Sequence, residues 1–126
     1  MAKRSARGLK RLIGATVNSM DGLKAAWIHE EAFRQEILLT VVLVPAAFWL
    51  GRTTVERILL LATCFLLLVV ELINTAIEAA VDRIGPENHP LSARAKDLGS
   101  AAVLLSLIAL AVVWALVAWQ RWTGGP

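Results

Sequence analysis

The sequence predicts an all-α membrane protein with three spanning helices and one further helix at the N-terminus. Hydrophobic residues make up 57% of the 126 residues, which exceeds the share found in most soluble domains. Three apolar stretches stand out, Ile37–Leu50, Ile58–Val70 and Ala101–Trp119, and turn-forming residues are concentrated between them. A chain of this length forms one domain at most.

The first 24 residues predict an amphipathic helix that lies in the membrane interface, at about residues 5–24. Basic and small residues alternate there with apolar ones at roughly helical spacing. These apolar residues are Leu9, Leu12, Ile13, Val17, Met20 and Leu23. The segment does not resemble a cleaved signal peptide, because it has no compact apolar core followed by a small-residue cleavage site.

The first two spans are predicted at about residues 31–50 and 55–80. Their apolar cores are short against the roughly 20 residues that a span needs. Each span must therefore include its polar flank, Phe33–Glu36 before the first core and Glu71–Ala80 after the second. Between Lys24 and Pro45 there is no helix breaker, so one helix is predicted to enter from the interface and cross, with a kink at Pro45.

The third span is predicted at about residues 98–119. It follows a turn-rich loop, Gly85–Pro90, and Ser92 is a plausible N-cap for its helix. Tryptophans lie near the predicted span ends, where they commonly anchor a helix in the interface.

Basic residues are concentrated on one predicted side of the membrane. The side with few of them has only Arg52, Arg57 and Arg121. The other side has Lys3, Arg4, Arg7, Lys10, Arg11, Lys24, Arg34, Arg83, Arg94 and Lys96. The positive-inside rule therefore makes the N-terminus and the long loop cytoplasmic. The net charge of +3 reflects this asymmetry and indicates a membrane surface, not nucleic-acid binding.

The second span carries polar residues that a membrane helix does not tolerate without a reason. At about 100° per residue, Glu71, Thr75, Glu78 and Asp82 fall in one narrow stripe, with Asn74 on its flank. Ionisable groups at membrane depth cost several kcal/mol, so they indicate a functional site. One subunit with three helices cannot shield these groups well, which predicts an oligomer with sites near subunit boundaries.

The spacing of the acids suggests two different roles. Glu71 and Glu78 are separated by about 10 Å along a helix, which is too far to share a metal ion. This separation suits the two ends of a phosphoryl transfer, with the deeper acid taking a proton from a lipid hydroxyl. The shallower acid would hold Mg²⁺ on nucleotide phosphates. The alternative is that both acids pair with buried Arg or Lys, or bond across helices.

Two other polar segments have alternative interpretations. Glu30 can complete a divalent-metal site with Glu78, or it can form an ordinary ion pair with Arg34 four residues on. Lys96 can meet phosphate oxygens while the loop at residues 87–90 holds a base and ribose, or the loop is simply solvated.

The sequence lacks the motifs that are typical of several other classes of protein. The sequence has no Walker-type phosphate loop, no protein-kinase signature and no Cys/His metal cluster. A small multidrug transporter also carries an essential membrane acid, but it needs a mid-membrane glutamate and usually four spans. Here the acids run from the hydrocarbon depth to the cytoplasmic side, and three spans are predicted.

Three segments, residues 25–36, 70–83 and 95–103, resemble the prokaryotic diacylglycerol kinase family. The resemblance extends from about Arg11 to Trp119, and the block from Glu71 through Asn74 to Glu78 is highly specific. The Phe-Arg-Gln-Glu and Asp-Leu-Gly-Ser strings are more similar to the Gram-negative diacylglycerol kinase branch than to the Gram-positive undecaprenol kinase branch. Undecaprenol kinase is therefore the alternative within the family.

The resemblance implies a homotrimer in the bacterial inner membrane, with three spans per subunit and an N-terminal surface helix. It also implies MgATP-dependent phosphorylation of diacylglycerol to phosphatidate, in phospholipid recycling. Glu71 corresponds to the catalytic base of the family, Glu30 and Glu78 to its metal ligands, and Asn74 to a further active-site position.

The remaining positions that the resemblance implies fall into two sets. The ATP-binding set is Arg11, Asn18, Glu30, Glu78, Glu87, Asn88, His89, Lys96 and Asp97. The lipid-substrate set is Arg11, Ala15, Thr16, Val17, Asn18, Ser19, Met20, Lys24, Ala25, Ala26, Trp27, Ala32, Phe33, Arg34, Gln35, Glu36, Trp49, Glu71, Ser100 and Trp114.

Overall fold

The structure, a computed structural model, describes residues 2–124 and the side chains of residues 7–124. This part of the chain is helical, with α1 at Ala2–His29, α2 at Glu31–Leu50, α3 at Thr54–Ile84 and α4 at Pro90–Thr123. The helices α2, α3 and α4 are each long and apolar enough to cross a membrane. The all-α class is thus confirmed, and the three predicted spans correspond to three helices of suitable length and composition. The position of α1 in a membrane interface stays a prediction. The side chains of Lys3 and Arg4, which support the predicted orientation, lie outside the described part.

Helix α3 lies at the centre of the bundle. It packs mainly against α4 and α2, and α1 contacts α2. The side chains of Leu60, Cys64 and Leu67 on α3 are fully buried. Most other large apolar side chains are exposed, as expected of helices that face lipid or further subunits.

The chain breaks between α1 and α2 at Glu30, so the predicted continuous helix from Lys24 through the first span is wrong. Glu30 has an extended backbone, with φ −115° and ψ 109°. The guanidinium of Arg34 donates from Nη1 to the carbonyl oxygens of Trp27 at 2.8 Å and Ile28 at 3.1 Å. These carbonyls belong to the last turn of α1, where they lack helical partners and attract a cation. Arg34 thereby stabilises a helix end that no glycine or proline marks.

The start of α4 also differs from the prediction, because His89 and not Ser92 is the N-cap. His89 Nδ1 accepts a hydrogen bond from the Leu91 N–H at 3.0 Å. Pro90 occupies the first helical position, where its missing N–H costs nothing. The capping residue therefore lies inside the loop that was predicted to bind nucleotide.

The start of α3 has a capping box. The Thr53 hydroxyl accepts from the Glu56 N–H at 3.1 Å, and Glu56 Oε2 accepts from the Thr53 N–H at 3.1 Å. The reciprocal bonds satisfy two backbone donors that have no helical partner.

Arg121 ties three helix ends together at the end of the bundle opposite the acids. Its Nη1 donates to the carbonyl oxygens of Trp49 at 3.1 Å and Leu50 at 3.4 Å, and its guanidinium lies 4.7 Å from the Trp49 ring centroid. Arg52, in the turn before α3, donates from Nη2 to the Arg121 carbonyl at 2.7 Å. The ends of α2 and α4 and the start of α3 are therefore joined by charge-assisted bonds.

A second polar link lies within the apolar length of the bundle. Trp114 Nε1 on α4 donates to Thr63 Oγ1 on α3 at 3.2 Å, and that hydroxyl donates to the Leu60 carbonyl at 2.9 Å. A hydrogen bond between spanning helices fixes their relative depth, because neither group has water as an alternative partner there.

Replacing Arg121 should weaken the bundle measurably. Arg121→Gln removes two charged hydrogen bonds and a cation–π contact, so we expect the free energy of unfolding to fall by about 1–3 kcal/mol. The measurement is denaturant-induced unfolding in mixed micelles followed by circular dichroism. Arg83→Gln is the matched control, because the exposed Arg83 has no hydrogen bond or ion pair within the described residues. Equal stability of the two variants would contradict the role of Arg121.

Candidate active site

Four carboxylates gather where α2 and α3 pack together. Glu71 on α3 is buried, with 5% of its surface exposed. Its carboxyl group contacts that of Glu36 on α2 and lies within electrostatic reach of Glu30 and Glu78. Two carboxyl groups form a hydrogen bond only if they share a proton. The buried Oε2 of Glu36 has no hydrogen-bond partner among the described residues.

Within the side chains that the structure describes, no Lys or Arg forms an ion pair with the acidic cluster. Over residues 7–124 the one ion pair is Lys96 Nζ to Asp82 Oδ1, at 2.7 Å, on the exposed ends of α4 and α3. The alternative in which the acids pair with buried Arg or Lys is therefore not found in the described part. The alternative ion pair between Glu30 and Arg34 is not found either, because Arg34 donates to the carbonyl oxygens at the end of α1. Lys96 lies within electrostatic reach of Glu78, although its ion pair is with Asp82. The net negative charge of the cluster favours a bound cation.

Asn74 connects the acidic cluster to α4. It is buried, and its Nδ2 donates to Glu78 Oε1 at 3.4 Å, one helical turn further along α3. Its Oδ1 is buried without a hydrogen-bond donor among the described residues. This oxygen lies against Gly99 of α4, where an added Cβ would overlap it. The amide is therefore held by one long hydrogen bond and by packing.

A polar pocket of about 500 Å³ lies between the end of α3 and the start of α4. Its lining brings together four of the predicted nucleotide-binding residues, Glu87, Asn88, His89 and Lys96. The other lining residues are Val81, Asp82, Gly85, Pro86, Pro90, Ser92 and Ala93. A lysine, an imidazole and several loop polar groups around one cavity suit a phosphate-bearing ligand.

A larger and more apolar pocket of about 720 Å³ lies between α1 and α3. Four predicted residues line it, namely Ser19, Ala25, Ala26 and Glu30. The other lining residues are Gly22, Leu23, His29, Leu72, Thr75, Ala76 and Ala79. An apolar cavity with one carboxylate, one imidazole and two hydroxyl residues in its wall suits an amphipathic ligand.

Several predicted site residues lie away from these pockets within one chain. Arg11 is about 28 Å along α1 from Glu30, given 1.5 Å per residue. Trp49 lies beside Arg121 at the opposite end of the bundle, and Trp114 is engaged with Thr63. Asp97 and Ser100 are exposed on α4.

The predicted lipid contacts differ in their exposure. Phe33 and Ala26 are buried against protein. The hydroxyls of Thr16 and Ser19 donate to carbonyls of their own helix, at 2.9 Å and 2.8 Å. The remaining positions on α1 and at the start of α2 are exposed or half-buried: Ala15, Val17, Asn18, Met20, Lys24, Ala25, Trp27, Ala32, Arg34, Gln35 and Glu36.

Most of the residues that line the apolar pocket were not predicted from the sequence. Leu72, Ala76 and Ala79 line it, and they read in the sequence as ordinary helix-packing residues. The signal in the sequence was Thr75, which shares the stripe of the acids. In the structure its hydroxyl is buried and has no hydrogen-bond partner among the described residues. Ala79 lies four residues after Thr75 on the same face of α3, so a run of small residues on that face could have predicted a cavity there.

The carboxylates of Glu30 and Glu78 suit a hard divalent cation that is also coordinated by a phosphate ligand. Among the described residues, no group of three or more His, Cys, Asp or Glu side chains is arranged to hold a metal ion. Glu30 and Glu78 can supply carboxylate oxygens, which Mg²⁺ prefers. The remaining oxygens must come from water and a phosphate ligand, as is usual for Mg²⁺.

Comparison with known proteins identifies the family. A family model described as "Prokaryotic diacylglycerol kinase" matches residues 17–118, which include every candidate acid and both pockets. The chain belongs to the prokaryotic diacylglycerol kinase family. The match begins after Arg11, Ala15 and Thr16, so the predicted roles of these three draw no support from it.

The chain is similar over most of its length to proteins named diacylglycerol kinase. It is 47% identical to that of Escherichia coli (strain K12) over 114 residues, covering 90% of this chain and 93% of the relative. It is 53% identical to that of Pseudomonas aeruginosa over 110 residues, covering 87% and 89%. It is 48% identical to that of Haemophilus influenzae over 107 residues, covering 85% and 91%.

Proposed function

We propose that this protein transfers the γ-phosphate of ATP to the free hydroxyl of diacylglycerol, giving phosphatidate and ADP. Family membership carries the proposal. The geometry supports it, because α3, which carries Glu71 and Glu78, contributes residues both to a polar pocket at the loop and to an apolar pocket beside α1. A kinase that joins an aqueous nucleotide to a lipid needs these two environments side by side.

Glu71 is proposed as the general base. Its carboxylate takes the proton of the lipid hydroxyl as that oxygen bonds to the γ-phosphorus and the bond to the ADP oxygen breaks. Glu71 is buried, and it lies about 10 Å deeper along α3 than Glu78, where the hydroxyl of a membrane lipid can reach it. The contact with Glu36 holds the Glu71 carboxyl in place.

Glu30 and Glu78 are proposed to hold the Mg²⁺ of MgATP. A bound Mg²⁺ would neutralise charge on the phosphate oxygens. Glu78 is oriented by the Asn74 amide, and Glu30 lies at the break between α1 and α2 without a basic partner in the described part. Both side chains are half-buried, so they can reach a ligand that enters from the aqueous side.

The nucleotide is proposed to occupy the loop pocket, with Lys96 near its phosphates. Lys96 is held by Asp82, which keeps its ammonium beside the pocket. Glu87, Asn88 and His89 would contact the base and ribose. Asp97, Arg11 and Asn18 complete the proposed set, although one chain does not bring Arg11 near the loop.

The lipid is proposed to lie along α1 and the start of α2, in contact with the apolar pocket. Trp49 and Trp114 lie far along the bundle from Glu71, so any contact with substrate would involve an acyl chain and not the glycerol. Ser100 faces outward from α4, one residue beyond the contact between Gly99 and Asn74.

We further propose a homotrimer in the bacterial inner membrane, with the N-terminus and the active site on the cytoplasmic side. Glu36 and Glu78 are only half-buried in one chain, and the surrounding apolar surface is exposed. Neighbouring subunits would cover both and bring Arg11 of another chain closer. A measured mass of a single chain in detergent would contradict the trimer.

The first test is the activity itself. Purified protein in mixed micelles should transfer labelled phosphate from ATP to diacylglycerol in the presence of Mg²⁺, and more slowly to undecaprenol under matched conditions. A clear preference for undecaprenol would assign the chain to the other branch. Absence of transfer to either lipid by folded protein would contradict the kinase proposal and leave the transporter as the alternative.

The second test concerns the proposed metal ligands. Glu78→Gln and Glu30→Gln each keep the side-chain shape but remove a negative charge, so the Mg²⁺ concentration for half-maximal rate should rise, by about 10-fold or more. The measurement is the initial rate against free Mg²⁺ at saturating ATP. Glu31→Gln is the matched control, because Glu31 is exposed and has no assigned role. An unchanged Mg²⁺ requirement in Glu30→Gln would remove Glu30 from the site.

The third test separates the base from the metal ligands. Glu71→Gln cannot accept a proton, so kcat should fall by about 10²–10⁴-fold while nucleotide binding is largely retained. Steady-state kinetics and binding of a fluorescent ATP analogue give the two quantities. A Glu71→Gln enzyme that keeps more than about a tenth of the wild-type kcat would show that Glu71 only positions the substrate.

A further inference from the structure

Gly99 on α4 packs directly against the polar residue Asn74 on α3. It is buried, and the three atoms nearest to a Cβ at this position all belong to the side chain of Asn74. Such a Cβ would overlap Asn74 Oδ1 and lie 3.2 Å from Cγ. By contrast, a Cβ at the helical Gly8, Gly14 or Gly22 would meet nothing within 4 Å. Among the helical glycines that the structure describes, Gly99 is thus the one at which a side chain would clash.

The Asn74 amide has little to hold it except this contact. Its Oδ1 is buried without a donor in the described part, and its hydrogen bond to Glu78 Oε1 is 3.4 Å long. Most N–H···O bonds in proteins are 2.7–3.2 Å, so a further shift of a few tenths of an ångström breaks this one. Within a helix, Gly is less favourable than Ala by about 1 kcal/mol of helix stability. Gly99 therefore lowers the intrinsic stability of α4, and its close packing against Asn74 accounts for a glycine there.

We infer that Gly99 is a positioning residue for the proposed metal site, acting on Glu78 through the Asn74 amide. The hydrogen atoms of Gly99 leave room for the amide at the one place from which Nδ2 reaches the Glu78 carboxylate. A methyl group there displaces the amide and frees the carboxylate to rotate. Groups that orient metal ligands typically contribute about 10–100-fold in metal affinity. The inference rests on the proposed role of Glu78.

The test uses Mn²⁺ as an EPR-visible probe, bound to the full-length protein in mixed micelles with a non-hydrolysable ATP analogue. Gly99→Ala should weaken Mn²⁺ binding by about 10–100-fold and leave the KM for diacylglycerol unchanged. Gly8→Ala is the matched control and should bind Mn²⁺ as the wild type does. Unchanged Mn²⁺ binding in Gly99→Ala would overturn the inference.

A double-mutant cycle identifies Asn74 as the intermediary. Asn74→Ala removes the atoms that the new methyl group would meet, so Gly99→Ala should cause no further loss of Mn²⁺ binding in that background. Additive losses would overturn the inference. If Gly99→Ala alone does not fold, the double variant should fold again, and its failure to do so would equally overturn the inference.

Glu78→Gln distinguishes a failure of the Gly99 inference from a failure of the proposed metal ligand Glu78. If Glu78→Gln weakens Mn²⁺ binding and Gly99→Ala does not, the inference fails and the proposed metal ligand stands. If Glu78→Gln binds Mn²⁺ as the wild type does, the proposed ligand is wrong and the role of Gly99 falls with it.

Discussion

The contact between the carboxyl groups of Glu36 and Glu71 is the constraint on which the rest of the molecule depends. Burying an unpaired charge costs several kcal/mol even after relaxation, and no Lys or Arg in the described part pairs with either acid. The contact must be stabilised by a shared proton, by a cation from outside the chain, or by both. The half-exposed state of the neighbouring acids in one chain also favours the proposed trimer.

Helix α4 is attached to the bundle with very different strengths along its length. At the end opposite the acids, Arg121 forms charged hydrogen bonds to α2 and stacks on Trp49. At the acidic end, α4 is linked to α3 by the exposed Lys96–Asp82 pair and by the close contact of Gly99 with Asn74. An exposed ion pair contributes about 0–1 kcal/mol. The bundle is thus joined by several charged contacts at the end opposite the acids, and by one exposed ion pair and one close packing contact at the end of the proposed active site.

The sequence predicted the spans and the acids because both depend on composition along the chain. Apolar runs, and carboxylates that interrupt them, can be read from the sequence without knowledge of tertiary contacts. Glu71 and Glu78 could therefore be identified from their spacing alone. The break at Glu30 was not predictable in this way, because it is stabilised by the Arg34 guanidinium on the α1 carbonyls and no Gly or Pro marks it. The contact between Gly99 and Asn74 joins residues on two helices, and no periodicity in either helix reveals it. Residue types were therefore predictable, and the contacts that orient them were not.

One helix fixes the distance between the two ends of the proposed reaction, and its two neighbours fix the orientations. Glu71 and Glu78 both lie on α3, so their separation of about 10 Å does not depend on how the other helices pack. The orientation of Glu71 depends on Glu36 of α2, and that of Glu78 depends on Asn74, which α4 confines through Gly99. Phosphoryl transfer proceeds through a loose transition state in which positioning outweighs covalent assistance. A displacement of α2 should therefore disturb the lipid end of the site, and a displacement of α4 the nucleotide end, without either changing the distance between them.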